Sequence, residues 1–481
     1  MRLGDLMTLP GADAATRVAG ITADSRAVVP GCIFAALPGS RQDGRRFIGE
    51  AVARGAAAVL APRGTTWPPG VPPRPLIEAS EPRRRLAQIA AELAGRQPAT
   101  IVAVTGTNGK TSTVDFLRQI FGHAGRPAAS LGTLGLIAPG FPPGPGLTTP
   151  DPVDLADTLA ALKRAGIEQV ALEASSHGLN QFRLDGVTLA AAGFSNLTRD
   201  HLDYHGSMDA YRAAKLRLFA ELLPAGAPAI ANADMESATL AALQDIAATR
   251  RLDFRTVGTN GTALRLLATT PRPDGQDLLI EAGGMQRTIP MGLTGRFQAD
   301  NALLAAMLAD ALGVRAALDR LPTLAGVPGR LERAATLPGG SVVYVDYAHT
   351  PDAIERLLLA LRPHTPGRLH IVFGAGGDRD AGKRPLMGAI AARHADAVIV
   401  TDDNPRSENP ALIRAAILAA AGPAARDGGD RRTAIAAAMS DLRPGDVLVV
   451  AGKGHEQGQT IGATTLPFDD LRVVRALAGL A

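Results

Sequence analysis

The stretch TIVAVTGTNGKTSTVDFLRQIFGHAG, residues 100–125, constrains the fold more than any other. A run of buried-type β residues enters a turn with two glycines, and a helical pattern leaves it. In that order, the backbone N–H groups at the start of the helix point toward one place and suit a phosphate. The loop VTGTNGKTST nevertheless departs from the ordinary phosphate loop, G-x-x-x-x-G-K-[ST]. Counting back from Gly109-Lys110-Thr111, the first glycine belongs at position 104, which is Val104; Gly106 comes two residues later. Lys110 is placed to reach outer phosphates, and Thr111 to supply a ligand for Mg²⁺. The plain alternative is a glycine-rich turn beside a surface lysine. The missing glycine argues against a standard GTPase or motor.

At 481 residues the chain is too long for one ordinary core, so several domains are expected. Residues 1–97 alternate short strand-like runs (GCIFAAL, AAVLAP) with helical ones (DGRRFIGEAVARGA, EPRRRLAQIAAELAGR) and end at Arg96-Gln97-Pro98. Residues 98–330 hold the glycine loop, a Pro/Gly-rich loop at 139–146, further α/β alternation, and one or two β-hairpins at 262–293. GVPGR at 326–330 reads as the next linker. Residues 331–481 alternate SVVYVD, RLHIVFG, DAVIVTDD and DVLVVAG with helical runs, which predicts a doubly wound, mostly parallel sheet.

Several functions are excluded. The formal net charge is only +4, with no long Lys/Arg tract and few aromatics, so no nucleic-acid partner is expected. Cys32 stands alone, which rules out an internal disulfide and a cysteine-based zinc site. No apolar run approaches the roughly 18 residues of a membrane span, and the N-terminal residues lack the pattern of a signal peptide. The expectation is a cytoplasmic protein that does not engage a membrane.

Chemistry-bearing residues gather at predicted strand ends. Glu173 ends the strand QVALEAS, with Ser175, Ser176 and His177 just beyond; a carboxylate there suits Mg²⁺, although a polar turn reads equally well. NLTRDHLDYHG carries His201, Asp203 and His205. In YRAAKLRLF, Tyr211 and Lys215 lie at i, i+4 on one helix face, where a solvated surface lysine is the ordinary reading. The last four strands each end in an unusual loop: DYAHTP from Asp346, GAGGDRDAGKRP at 374–385, DDNPRSENP at 402–410 and AGKGHE at 451–456. Together they would build one site, with Arg379 and Arg406 suited to carboxylates and Glu456 to an ammonium. An amino acid is the natural ligand.

TGTNGKT, EASSHGL, RDHLDYHG, YRAAK, GRLE, DYAHTP, GGDRDAGKRP, DNPR and GKGHE occur in that order along essentially the whole chain, and the set resembles the Mur ligase family. This family's ATP loop lacks the earlier glycine, so Val104 is no defect. The resemblance implies an α/β fold of three domains: a UDP-substrate-binding domain (1–97), a central P-loop-type ATPase with a mostly parallel sheet (98–330) and a C-terminal Rossmann-like doubly wound domain for the incoming amino acid (331–481). It implies an ATP- and Mg²⁺-dependent ligase of cytoplasmic peptidoglycan precursor synthesis. That ligase adds meso-diaminopimelate to the D-Glu of UDP-MurNAc-L-Ala-D-Glu through an acyl phosphate, and is expected to be a monomer.

Residue roles follow from the same resemblance. Gly106, Thr107, Asn108, Gly109, Lys110, Thr111 and Ser112 would wrap the ATP phosphates, and Asn301, Arg330 and Asp346 would also contact ATP. Thr111, Glu173 and His201 would hold Mg²⁺, joined by Lys215 as a carbamate, which replaces the surface reading of that lysine; Lys110, Glu173, His201 and Lys215 form the catalytic set. Ser25, Ser40, Arg41, Gln42, Thr148, Thr149, Ser175, Gln181 and Arg183 would hold the UDP substrate. Leu147 stands where some relatives have Asn, which puts one hydrogen bond to that substrate in question. Arg379, Asp403, Asn404, Pro405, Arg406, Gly452 and Glu456 would hold diaminopimelate, Arg406 meeting the carboxylate that L-lysine lacks. The continuation GHEQGQ differs from the usual aromatic one, with little effect expected. A lysine-adding ligase of the same family and a folylpolyglutamate synthase are the enzyme alternatives; a regulatory P-loop ATPase and a non-catalytic binding protein are more distant.

Overall fold

In the computed structural model, which describes residues 1–6, 11–39, 42–142, 144, 146–272 and 274–480, GCIFAAL forms the second of four parallel strands. These are β1 (Gly20–Thr22), β2 (Cys32–Ala35), β3 (Ala58–Pro62) and β4 (Leu76–Ala79), in that spatial order. Every residue of β2 is buried, as a strand covered on both faces requires. Ile33 and Leu60 face Leu86 and Ile89 of the helix Pro82–Ala94, whereas Phe34 and Val59 face Ile48 and Val52. The expected helix from Asp43 begins as a 3-10 turn, Gly44–Phe47, because the Asp43 carboxylate accepts the Arg45 N–H and tightens the chain before the α-helix Ile48–Ala53. Ser40 and Arg41 lie outside the described residues, as do Pro143 and Pro145 of the Pro/Gly loop.

Two compact units emerge, Met1–Ala263 with Leu303–Ala317, and Leu264–Ala302 with Leu318–Ala481. The first also holds the central strands β5 (Thr100–Thr105), β6 (Ala128–Gly132), β7 (Gly135–Ile137), β8 (Gln169–Glu173), β9 (Ala191–Phe194), β10 (Pro228–Asn232) and β11 (Asp253–Gly258). They are ordered β11-β10-β9-β5-β8-β6-β7, all parallel except β7. The chain leaves β5 through the helix Lys110–His123 toward β6 and later returns to β9 on the opposite side. The C-terminal ends of β5, β8 and β9 therefore flank a topological switch point, where parallel sheets bind ligands.

The second unit begins with the antiparallel meander β12 (Leu264–Arg272), β13 (Gly275–Ala282) and β14 (Met285–Met291), within the segment expected to form hairpins. Its larger sheet comprises β15 (Glu332–Thr336), β16 (Val342–Asp346), β17 (Leu369–Phe373), β18 (Ala397–Thr401), β19 (Arg426–Gly429) and β20 (Val447–Ala451), in the order β15-β16-β20-β17-β18-β19. Only β15 is antiparallel to its neighbour. Ile371, Phe373 and Val449 pack against helices Pro351–Leu361, Lys383–His394 and Pro410–Ala421. Alternate residues Val372, Leu448 and Val450 pack on the other face against helices Arg431–Ser440 and Asp470–Leu477. A short hairpin, β21 (Gly458–Ile461) and β22 (Thr464–Pro467), follows β20. No described helix is long and apolar enough to cross a membrane.

Candidate active site

The turn after β5 is shaped by its glycines. Gly106 has φ +146° and Gly109 φ +84°, and a Cβ on Gly106 would fall 2.0 Å from Ser195 Oγ. The residues after β9 brace the loop: Thr107 N–H donates to Asn196 O (2.8 Å), Asn108 N–H to Asn196 Oδ1 (2.9 Å) and Ser195 Oγ–H to Asn108 O (2.6 Å). Thr107 Oγ1 lies 3.1 Å from the Tyr211 hydroxyl and accepts the Thr198 N–H. Gly109 caps the helix, which begins at Lys110. Lys110 Nζ curls over the turn and donates to the carbonyls of Gly106 and Thr107, both at 2.9 Å. Ser112 is buried on the first turn of the helix.

Lys215 is no surface residue. It is 1% exposed, donates to Gly106 O at 2.7 Å and places Nζ 4.6 Å from the centroid of the Tyr211 ring. The i, i+4 spacing made that contact legible; burial did not show in the sequence. Loss of hydration, and then the neighbouring Lys110 charge, hold the Lys215 ammonium well below the usual lysine range. A neutral amine is the reactive form for carbon dioxide, so this environment suits a carbamate.

Glu173 ends β8 with 2% of its surface exposed. Oε1 accepts the Thr111 hydroxyl (3.0 Å) and the Thr133 N–H (2.8 Å), while Oε2 accepts the Thr133 hydroxyl (3.3 Å). Among the described residues, no lysine, arginine or histidine pairs with it. A buried carboxylate with only hydroxyl and N–H donors, and a hydroxyl alongside, is an oxygen-rich environment that fits a hard cation such as Mg²⁺. Thr133 carried no sequence signal. Gly132 leaves room for the carboxylate, since a Cβ there would lie 2.2 Å from Glu173 Oε1. Gly132→Ala is expected to lower stability by about 1–3 kcal/mol and to push Glu173 off Thr111. A denaturation midpoint and a turnover assay check both effects.

The other residues expected near Mg²⁺ and the UDP substrate are grouped less tightly. His201, with φ +52°, is about half exposed and 3.4 Å from Asp200. Its ring lies 5.0 Å from that of His177, which also stacks on Tyr204 at 4.0 Å. Among the described residues, no three His, Cys, Asp or Glu side chains come together as a ready-made metal cage. The structure thus joins Thr111 to Glu173 and Lys215 to the loop, but assembles no preformed set containing His201. Thr149 Oγ1 donates to Glu173 O (2.8 Å) and lies 3.0 Å from Ser175 Oγ; Thr148 Oγ1 lies 3.1 Å from Thr133 Oγ1. Arg183 donates to Thr149 O (2.6 Å) and to Gln181 Oε1, whose own amide donates to the Tyr204 hydroxyl. Ser25 bonds Glu50 at the N-terminal sheet, and Gln42 is exposed on the following loop.

In the second unit, Arg330 and Asp346 are brought together. Asp346 accepts the N–H groups of Leu331 (2.6 Å) and Ala348 (2.8 Å); burial raises its carboxyl above the usual range, and Arg330 opposes that shift. The Arg330 guanidinium lies 4.7 Å over the Tyr347 ring. Asn301 is buried one helical turn beyond Gln298, which donates to Arg330 O.

The loop ends of β16, β17, β18 and β20 form a connected polar cluster. Asn404 Nδ2 donates to Glu456 Oε2 (2.9 Å), and Lys453, fully buried, donates to both Asn404 Oδ1 (3.1 Å) and Glu456 Oε2 (3.2 Å). Glu456 is therefore already partly neutralised within the chain, a feature its expected role with an ammonium did not include. Asp403 is buried against Gly452, where a Cβ would lie 2.7 Å from Oδ2, and its carboxylate is 4.0 Å from Arg431. Arg431 makes a fully buried ion pair with Asp470. Pro405 precedes Arg406, whose φ is +50°, a left-handed conformation costing about 1–2 kcal/mol in a non-glycine residue. Arg406 Nη1 donates to Gly377 O (2.8 Å), close to the exposed Arg379.

Three family profiles match in chain order: "Mur ligase family, catalytic domain" on residues 17–93, "Mur ligase middle domain" on 104–309 and "Mur ligase, glutamate ligase domain" on 329–454. A Caulobacter vibrioides protein named UDP-N-acetylmuramoyl-L-alanyl-D-glutamate--2,6-diaminopimelate ligase is 56% identical over 491 residues, covering 100% of this chain and 99% of that one. A Rhizobium meliloti protein of the same name is 52% identical, covering 97% and 96%. A solved structure of a ligase of that name superposes with a TM-score of 0.75 at 32% identity, covering 100% of this chain and 99% of the other. A folylpolyglutamate synthase from Mycobacterium tuberculosis shares the fold, with a TM-score of 0.63 at 20% identity, covering 83% and 95%.

Proposed function

The chain belongs to the Mur ligase family, and from that premise we propose that it joins meso-diaminopimelate to UDP-MurNAc-L-Ala-D-Glu in cytoplasmic peptidoglycan precursor synthesis. It is an ATP-dependent ligase with the three-domain α/β fold of that family. The two compact units divide the chain elsewhere, joining 264–302 and 318–330 to the C-terminal residues; we propose the boundaries near residues 97 and 330 as the functional ones.

The observation that carries the substrate assignment is the polar cluster of the second unit. It offers Arg406 and Arg379 for carboxylates and the Asn404–Glu456 pair for an ammonium. That complement suits an amino acid with an additional acid group. Lysine would leave Arg406 without its partner.

A carboxylate is a poor electrophile, so the reaction needs a leaving group. The D-glutamyl carboxylate takes the terminal phosphoryl group of ATP and ADP departs. The amine of diaminopimelate then attacks the acyl carbon, loses a proton, and orthophosphate leaves as the amide forms. The chain's own contribution is positioning and charge neutralisation. N–H groups from Gly106 to Ser112 would cradle the phosphates, and Lys110 would turn from the loop carbonyls to an outer phosphate. Thr149, Ser175, Gln181 and Arg183, already linked around Glu173, would orient the dipeptide end of the UDP substrate. Thr111 and Glu173 would hold Mg²⁺, with His201 and a carbamylated Lys215 as further proposed ligands. When bound, that ion supplies neutralisation of phosphate charge.

The test is phosphate release by the purified protein with ATP, Mg²⁺ and UDP-MurNAc-L-Ala-D-Glu, with meso-diaminopimelate in one reaction and L-lysine in the other. Turnover with diaminopimelate and little with lysine is expected. Turnover with lysine alone would keep the ligase and overturn the role given to Arg406.

A further inference from the structure

Arg406 holds its left-handed conformation because another segment imposes it. Its N–H donates to Thr460 O (3.0 Å) and its carbonyl accepts the Gly462 N–H (2.7 Å), so Arg406 pairs in parallel with Ile461. Asp403 and Asn404, three and two residues earlier, are tied to the same segment. Gln459 Nε2 donates to Asp403 O (2.7 Å), and the Thr460 N–H donates to Asn404 Oδ1 (2.9 Å). Gln459 is buried, at 6% exposed.

The hairpin β21–β22 that supplies these groups is not anchored by a core of its own. Ile461 and Leu466 are 46% and 49% exposed. Its closure relies on a tight cross-strand fit, because a Cβ on Gly458 would lie 2.7 Å from Thr465 Cγ2. The inward-facing polar groups of β21 thus bond the turn Asp403–Arg406. Remove the Gln459 amide and a carbonyl inside that turn loses its donor, leaving the strained Arg406 backbone easier to relax.

We propose that Gln459, with the strand it belongs to, is a positioning residue that holds the Asp403–Arg406 turn so that Arg406 faces the second carboxylate of the incoming amino acid. The inference rests on the proposed function and extends it to a residue outside the four loops.

Gln459→Met removes the amide at nearly constant length. In steady-state phosphate release, KM for meso-diaminopimelate should rise about tenfold, with kcat and the KM values for ATP and UDP-MurNAc-L-Ala-D-Glu nearly unchanged. Gln459→Asn, which keeps the amide one methylene short, should fall between. On an Arg406→Ala background, Gln459→Met should add nothing further, because it acts through Arg406. A full additional rise on that background, or an unchanged KM in the single variant, would overturn the proposal. A thermal midpoint for each variant separates misfolding from mispositioning, and Gln459→Asn carries the test if Gln459→Met does not fold. If the unaltered protein fails to use diaminopimelate, the proposed function fails first and this inference falls with it.

Discussion

Glu173→Gln lowers kcat for phosphate release by about 10²–10³-fold and raises the Mg²⁺ concentration needed for half-maximal turnover. The carboxylate is buried and accepts three hydrogen bonds, from the Thr111 hydroxyl and from the N–H and hydroxyl of Thr133. Its described contacts include no opposing charge. An ionised group in that setting is costly unless a cation completes it. Glutamine keeps the shape, removes the charge and puts an NH₂ group where an oxygen accepted. Thr111 or Thr133 then meets a donor rather than an acceptor. Glu173→Asp keeps the charge at a shorter reach, so it should retain more activity than Glu173→Gln and a Mg²⁺ requirement closer to the original. Both variants are compared by Mg²⁺ titration at saturating ATP, with a thermal midpoint for each. Lost activity with an unchanged Mg²⁺ requirement and a large fall in midpoint would make Glu173 a purely structural group.

The parallel sheets were legible because their strands are continuous apolar runs. SVVYVD, RLHIVFG, DAVIVTDD and DVLVVAG became β16, β17, β18 and β20. The flanking strands β15 and β19 were not legible: ERAAT and RDGG are polar, partly exposed edge strands whose identity comes from the neighbour they pair with. The hairpin β21–β22 was missed for a similar reason, since GQTI and TTLP carry only weak strand signals. In the candidate site, residues on quoted motifs were visible, but their environments were not. The local pattern around Lys215 suits a surface lysine, and only the family resemblance moved it to the site; tertiary packing buries it beneath Gly106. Thr133, Gln459 and Arg431 act through contacts with residues 40, 56 and 39 positions away, respectively, and no local pattern encodes such partners. Lys453 lay within the quoted AGKGHE yet drew no role, because only the fold reveals that it lies under both Asn404 and Glu456.

Arg406→Ala raises KM for meso-diaminopimelate by about 10²-fold or more while changing turnover of L-lysine far less. The two amino acids differ by one carboxylate at the far end. In the proposed site that carboxylate meets the Arg406 guanidinium, held by its bond to Gly377 O and by the backbone bonds to Thr460 and Gly462. With alanine, the carboxylate enters a partly buried site without its cation. Lysine never had that group to lose. Discrimination therefore collapses from the diaminopimelate side, and the ratio of the two kcat/KM values reads it directly. Arg406→Lys is informative for geometric reasons. A lysine keeps the charge but not the planar fork that bonds Gly377 O while facing a carboxylate, so it should recover only part of the loss. An equal fall for both amino acids in Arg406→Ala would show that Arg406 supports the turn rather than reading the substrate. A fall confined to diaminopimelate ties selectivity to one guanidinium whose orientation is fixed by backbone bonds rather than by its own preference.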